Sequence, residues 1–197
     1  MEPVYDKFAK AYDAVFAPFE KSFLSRWRAQ TLELLPKDST ILELGAGTGA
    51  NFSFYPTSKH AVSSELSIKM LGIAKSKAGS NLLIQADAQD LPFAANVFDA
   101  AFATLVFCSI PKPERAFAEV QRVIKPGGKV ILMEHVRPHG LLGYVFDGLS
   151  VLTVALIDDH FNRKTAEIAE QSGLKILDIR AKAFGAVNLI VCEVSDE

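Results

Sequence analysis

Only two cysteines occur in 197 residues, Cys108 and Cys192, far apart and each in apolar surroundings. That scarcity argues against a disulfide framework or a zinc site and points to a reducing compartment, so no metal is expected. Charge of one sign is equally scarce. The 21 Lys and Arg against 23 Asp and Glu leave a formal −2 and a pI near 6.1. Such a chain has no field suited to polyanions, and no basic run interleaves with aromatics, so nucleic acid is not an expected partner. Internal repeats and low-complexity linkers are also missing. This length suits one well-buried domain spanning 1–197, whereas two halves would each be marginal.

Long apolar runs are missing too, with one near exception. Residues 141–157, LLGYVFDGLSVLTVALI, are interrupted by Asp147, Gly143 and Gly148 and fall short of the ~20 apolar residues a bilayer needs. A buried helix or lid is the expectation there, with an interfacial helix and membrane-surface contact as the less favoured alternative. Residues 1–10 are polar and acidic, which predicts neither signal peptide nor N-terminal anchor and hence a cytoplasmic location.

What is present centres on residues 40–52, TILELGAGTGANF. Ile41, Leu42 and Leu44 suit a buried strand, and Gly45, Gly47 and Gly49 let the following loop turn sharply against a ligand. A ligand there would lie at the carboxyl end of the first strand, the edge where open α/β sheets bind. The run from Gly45 to Ala50 also satisfies the dinucleotide pattern G-x-G-x-x-A, and Glu65 follows at the distance of a ribose-binding acid. An NAD-dependent oxidoreductase therefore fits the glycines, although the chain scarcely has room for a second catalytic half. A non-catalytic cofactor-binding protein is a further alternative. Glu43, placed just before the loop, suits a cationic ligand better than a pyrophosphate.

The rest of the chain alternates strands with helices. Apolar spacing predicts two helices before residue 35, divided at Pro18, which fits the first turn of the second. Ala50 to Tyr55 reads as a short helix ended by Pro56. Ala61 to Ser64 reads as the second strand, and Ser67 as the N-cap of a helix from Ile68 to Lys77 with Ile68, Leu71, Ile73 and Ala74 on its apolar face. Leu82 to Ile84 and Ala100 to Thr104 give two further strands, Pro113 to Ile124 an amphipathic helix, and Lys129 to Met133 a fifth strand. Asn162 is the expected cap of a helix from Arg163 to Ser172, stopped by Gly173. Leu174 to Ile179 and Ala186 to Val194 complete the sheet as an antiparallel pair joined through Gly185. Glu134 and His135 fall at a strand's carboxyl end, where an imidazole, with a reference value near ~6.5, could move a proton at neutral pH.

E-x-G-x-G-x-G from Glu43, the paired Y-D of Tyr5-Asp6 and Tyr12-Asp13, D-A-x-D-L-P-F from Asp87, and I-K-P-G-G from Ile124 together resemble the class I S-adenosylmethionine-dependent methyltransferases, of the methyltransferase type 11 kind. Within them, ELGAGTGANFSFYP, TLVFCSIPKPERAFAEVQRVIKPGG and MEHV look like thiol methyltransferases of endoplasmic reticulum and lipid-droplet membranes and their bacterial relatives. Some neighbours methylate phospholipid head groups or quinone precursors. This chain departs from the membrane members in lacking their N-terminal hydrophobic run.

The resemblance implies an α/β fold: a seven-stranded, Rossmann-like, doubly wound sheet, mostly parallel with an antiparallel C-terminal strand and helices on both faces. It implies residues 1–35 as a helical cover and 137–160 as a substrate-side insertion. It implies S-adenosyl-L-methionine as cofactor, held by Tyr12, Glu43, Gly45, Ala46, Gly47, Gly49, Asn51, Glu65, Leu66, Asp87, Ala88, Thr104, Leu105 and Cys108. Asp87 would accept from the adenine amine, the Ala88 N–H would donate to the ring, and Leu91 and Phe93 would close the apolar side. Cys108 would face the transferable methyl at a place where many relatives carry histidine. The expected reaction is methyl transfer to a small, apolar acceptor, a thiol or similar, with His135 as general base, in a monomer or homodimer.

Overall fold

The computed structural model describes residues 4–56, 60–138, 140, 143–144, 146–148, 150–151, 160 and 162–195. Seven strands form one sheet: β1 (Thr40–Leu44), β2 (His60–Glu65), β3 (Leu82–Gln85), β4 (Phe98–Thr104), β5 (Ile124–His135), β6 (Lys175–Lys182) and β7 (Val187–Glu193). Their order is β3-β2-β1-β4-β5-β7-β6. The first five run parallel, and β7 is antiparallel to both its neighbours, β5 and β6. The expected mostly parallel architecture with an antiparallel C-terminal strand is the one observed. Strand order reverses direction between β1 and β4, which opens a crevice at their carboxyl ends.

Alternation along the central strands builds both cores. Leu42, Leu44, Ala101, Ala103, Val130, Leu132 and Ile190 face one side, with Phe117 and Val120 of α4 (Pro113–Val123) and Ala169 of α5 (Thr165–Gln171). Ile41, Phe102, Ile131 and Leu189 face the other, with Leu32 of α2 (Ser25–Leu32) and Leu35. Period two thus sends neighbouring residues to opposite layers of helix.

β5 begins five residues before the expected Lys129. Ile124 pairs with Phe98, and a register shift precedes the Lys129 to Ala100 pairing. Gly128 allows that shift, because a Cβ there would stand 2.8 Å from the Lys125 carbonyl oxygen and 2.9 Å from that of Asp99.

Local expectations fail where tertiary contacts intervene. Pro18 lies in the last turn of α1 (Val4–Phe19) rather than opening a new helix. A proline has no N–H to give the preceding turn, and the helix widens into a π turn at Glu20–Leu24, where the Ser22 hydroxyl donates to the Pro18 carbonyl at 2.8 Å. The segment after the glycine loop forms only a 3₁₀ turn, Phe52–Phe54, because Tyr55 before Pro56 is extended. α3 (Ile68–Ala74) starts as expected on Ser67, whose hydroxyl accepts from the Met70 N–H at 3.1 Å, yet it buries Met70 and Ala74 and leaves Ile68 52% exposed. Asn162 caps nothing: its amide donates to Asp147 at 3.1 Å, its carbonyl accepts from Ser150 at 2.9 Å, and α5 starts at Thr165.

Most of the 141–157 run lies outside the described residues. Among the described residues no helix is long and apolar enough to cross a membrane.

Phe117 is fully buried on α4 and stacks on Phe107 with ring centroids 4.2 Å apart. Replacing it by alanine should cost roughly 3–5 kcal/mol by combining lost transfer energy with a cavity, read as a lower denaturant midpoint at unchanged m-value.

Candidate cofactor site

A cavity of about 430 Å³ opens at the carboxyl ends of β1, β2 and β4. Its floor is the glycine loop. Gly45 has φ +64°, and a Cβ on it would stand 2.6 Å from a Val106 methyl, so a side chain would drive the loop off the turn that follows β4. The loop is also tied to β2: the Ala46 N–H donates to the Ser64 carbonyl at 2.9 Å and the Gly47 N–H to the Glu65 carboxylate at 2.8 Å.

Acids line one end. The second oxygen of Glu65 accepts from the Ser67 N–H at 2.8 Å. Burial is the largest influence on Glu65 and raises its pKa above the ordinary glutamate value, outweighing the backbone donors of Ser67 and Gly47; nearby Asp6 adds to the rise. Asp87 accepts from the Gln89 N–H at 2.8 Å, which fixes the corner where Ala86, Ala88 and Gln89 line the wall. Carboxylates so placed can receive vicinal hydroxyls and an exocyclic amine.

A cation lines the other end. Arg28 is only 6% exposed, and its guanidinium donates to the Asn51 side-chain oxygen at 2.9 Å, to the Thr104 hydroxyl at 2.5 Å and to Glu20 at 3.0 Å. Behind it, Asn51 donates to Glu43 at 2.6 Å, and the Tyr55 hydroxyl donates to the other Glu43 oxygen. Burial raises the pKa of Glu43 despite these donors and the charge of Arg28. Over the cavity stand Tyr5 and Tyr12 of α1, two helical turns apart, with ring centroids 6.3 Å apart.

Of the residues expected from sequence, the fold brings eleven to this wall: Tyr12, Gly45, Ala46, Gly47, Asn51, Glu65, Leu66, Asp87, Ala88, Thr104 and Leu105. Four stand elsewhere. Glu43 is sealed beneath Asn51 and Tyr55 and reaches the cavity only through Asn51 and Arg28. Gly49 faces the Phe52 ring. Cys108 is buried off the wall. His135 is half-buried at the end of β5, opposite Val187. Leu91 and Phe93 turn into the core, where Phe93 meets Phe98 edge to face, and Ile110 and Pro111 form the apolar side instead.

Arg28 itself escaped the sequence reading. The available signal was its place on the apolar stripe Leu24, Arg28, Leu32, Leu35, where a charge at core spacing needs a buried partner.

The methyltransferase domain model matches residues 42–132, from β1 into β5. Thiol S-methyltransferase TMT1B of Rattus norvegicus is 32% identical over 143 residues, covering 68% of this chain and 59% of that protein. Demethylmenaquinone methyltransferase of Paenarthrobacter aurescens is 30% identical over 138 residues, covering 68% of this chain and 54% of that protein. In sequence the chain is thus similar to S-adenosylmethionine-dependent methyltransferases. It spans a little over half the length of these two relatives. The fold is shared with a methyltransferase of Thermotoga maritima, which superposes with a TM-score of 0.77 at 21% identity, covering 98% of this chain and 99% of that one.

S-adenosylmethionine is the family's cofactor, and the polarity of the cavity suits it. A buried guanidinium at one end matches a carboxylate-bearing amino-acid tail, and the acids at the other match the hydroxyls and amine of adenosine.

A carboxylate that receives ribose hydroxyls must be ionised. Affinity for S-adenosylhomocysteine should therefore be full above the raised value of Glu65 and fall as pH drops through it, starting above the ordinary glutamate range near ~4.3. Glu65→Gln should weaken binding about tenfold or more at pH 7.5, as expected for lost hydrogen bonds to a charged group, and flatten that acid limb in calorimetric titrations.

Proposed function

We propose that this protein transfers the methyl group of S-adenosylmethionine to a small, largely apolar acceptor, with a thiol as the first choice. The observation that carries this reading is the cavity itself, with Arg28 at one end, Glu65 and Asp87 at the other and tyrosines above. In the proposed pose Arg28 pairs with the methionyl carboxylate, Glu65 receives the ribose hydroxyls, and Asp87 with the Ala88 N–H reads the adenine edge. Thr104, Leu105 and Val106 then lie along the methionyl end, between the glycine loop and Arg28.

The cofactor supplies an electrophilic methyl on a sulfonium whose leaving group departs neutral, so the protein need not protonate it. Rate enhancement then comes from holding acceptor and donor in line with water excluded. A thiol, with a reference pKa near ~8.5, needs only to lose its proton. His135 is the proposed base, reaching the acceptor from the end of β5 and not from the cofactor wall. The segment 137–160 is the proposed acceptor side. Likeness to a thiol S-methyltransferase supports the choice of thiol. A second reading, methylation of a quinone precursor, is supported by the comparable likeness to a demethylmenaquinone methyltransferase.

Calorimetry should show S-adenosylhomocysteine binding and NADH not binding; the reverse result would remove the methyltransferase reading. Labelled cofactor offered with thiophenol, an alkyl amine, a phenol and a naphthoquinol should label the thiol fastest, and label on the naphthoquinol alone would select the second reading. His135→Ala should leave S-adenosylhomocysteine affinity within about twofold and lower thiol turnover most below the thiol's own pKa, where a base is needed. An unchanged pH profile would discard His135 as base.

A further inference from the structure

The turn from β4 to α4 supplies Leu105, Val106, Ser109, Ile110 and Pro111 to the cofactor wall, and the strand pairing of β4 ends before it, at Thr104. Leu105 sits at φ +61°, a left-handed conformation that costs a non-glycine residue about 1–2 kcal/mol. Such a conformation persists only where the surroundings hold it. Backbone hydrogen bonds supply part of the hold: the Leu105 N–H donates to the Met133 carbonyl at 2.7 Å and the Ser109 N–H to the Val106 carbonyl at 3.0 Å.

The rest comes from two charged residue types on opposite sides. One carboxyl oxygen of Glu134, fully buried at the end of β5, accepts from the Val106 N–H at 3.0 Å and the Phe107 N–H at 3.1 Å. From the far side the Arg163 guanidinium donates to the Phe107 carbonyl and, at 2.6 Å, to the Ile110 carbonyl. The His160 N–H fills the gap by donating to the Cys108 carbonyl at 3.0 Å. Amide donors of the turn are thus gathered by one oxygen of an acid and its carbonyls by one nitrogen of a cation.

We infer that Glu134 and Arg163 are positioning residues for the cofactor: together they clamp the 105–111 turn in the shape that forms the wall, without touching the cofactor themselves. The inference rests on the cofactor reading above. It also makes His160 and Arg163, at and just beyond the end of the proposed acceptor side, anchors of the donor side.

The test compares wild type with Arg163→Met, Arg163→Lys and Glu134→Gln in the full chain, with three readouts. In calorimetry Arg163→Met should raise the Kd for S-adenosylhomocysteine about tenfold, a coupling near ~1.4 kcal/mol. Arg163→Lys should recover part of that loss, since an ammonium reaches carbonyls without the fixed fork. Glu134→Gln, which keeps an acceptor oxygen, should weaken binding severalfold. Melting temperature separates positioning from mere support, because a folded variant that melts lower but binds within twofold of wild type would overturn the inference. Amide exchange across 106–110 in the ligand-free chain should be at least about tenfold faster in Arg163→Met, consistent with a lost local hold; if that variant does not fold, Arg163→Lys carries the same comparison. Unchanged exchange would overturn the clamp whatever the ligand, whereas accelerated exchange in a chain that never binds S-adenosylhomocysteine would uphold the clamp and sink the cofactor reading instead.

Discussion

The structure depends most on one buried cation. Arg28 joins α2 to the glycine loop through Asn51 and to the end of β4 through Thr104, while Glu20 closes the cluster on the solvent side. Withdrawing a guanidinium from water costs several kcal/mol unless its donors are matched. Here they meet groups from three segments of chain, Glu20, Asn51 and Thr104, so the charge is tolerable only when all three are in place. The same condition fixes Asn51, whose amide bridges Thr104 and the buried Glu43. A cofactor tail arriving at Arg28 would therefore meet donors already oriented, with little reorganisation left to be done.

Helix α1 repeats this logic with the signs exchanged. Tyr5-Asp6 and Tyr12-Asp13 are neighbours that point different ways. The tyrosines line the cavity while the acids grip its rim. Asp6 accepts from the Ser67 hydroxyl and from the Lys69 N–H at 3.3 Å, joining the start of α3. Asp13 accepts from the Thr48 hydroxyl at 2.5 Å and from Lys77 at 2.8 Å, joining the glycine loop and the chain beyond α3. Donors from Lys77 and Thr48 outweigh the effect of partial burial and hold the Asp13 pKa below its usual value. The exposed Asp13–Lys77 pair contributes little, whereas the Asp6–Ser67 bond is buried.

α4 connects core and site in a third way. Its buried face carries Phe117 and Val120, while Glu119 and Arg122 on its flank bind the chain at Leu91 and Phe93: Glu119 accepts from the Leu91 N–H at 2.7 Å, and Arg122 donates to the Leu91 and Phe93 carbonyls at 2.8 and 2.6 Å. The conspicuous D-A-x-D-L-P-F run therefore divides its labour. Asp87, Ala88 and Gln89 face the cavity, while Leu91 and Phe93 anchor the corner in the core.

By itself the sequence determined whatever is written in local pattern. Alternating apolar residues specify strands that are buried on both faces, helical spacing specifies α4, and Gly45 and Gly128 mark places where backbone must pass close to other chain. The motifs at the strand ends placed ten of the expected cofactor residues on one wall, because strand ends in such a sheet lie on one edge, and Tyr12 joins them from α1. Tertiary structure alone decided which polar residues meet through space. Arg28, Asn51 and Thr104 are separated by dozens of residues, as are Glu134, Arg163 and the turn they hold, and no periodicity encodes such a meeting. It also decided that Glu43 and Cys108 turn inward: which face of a strand or turn meets solvent depends on the layers packed against it, and hydrogen bonds over long sequence separations exist only once those layers have closed.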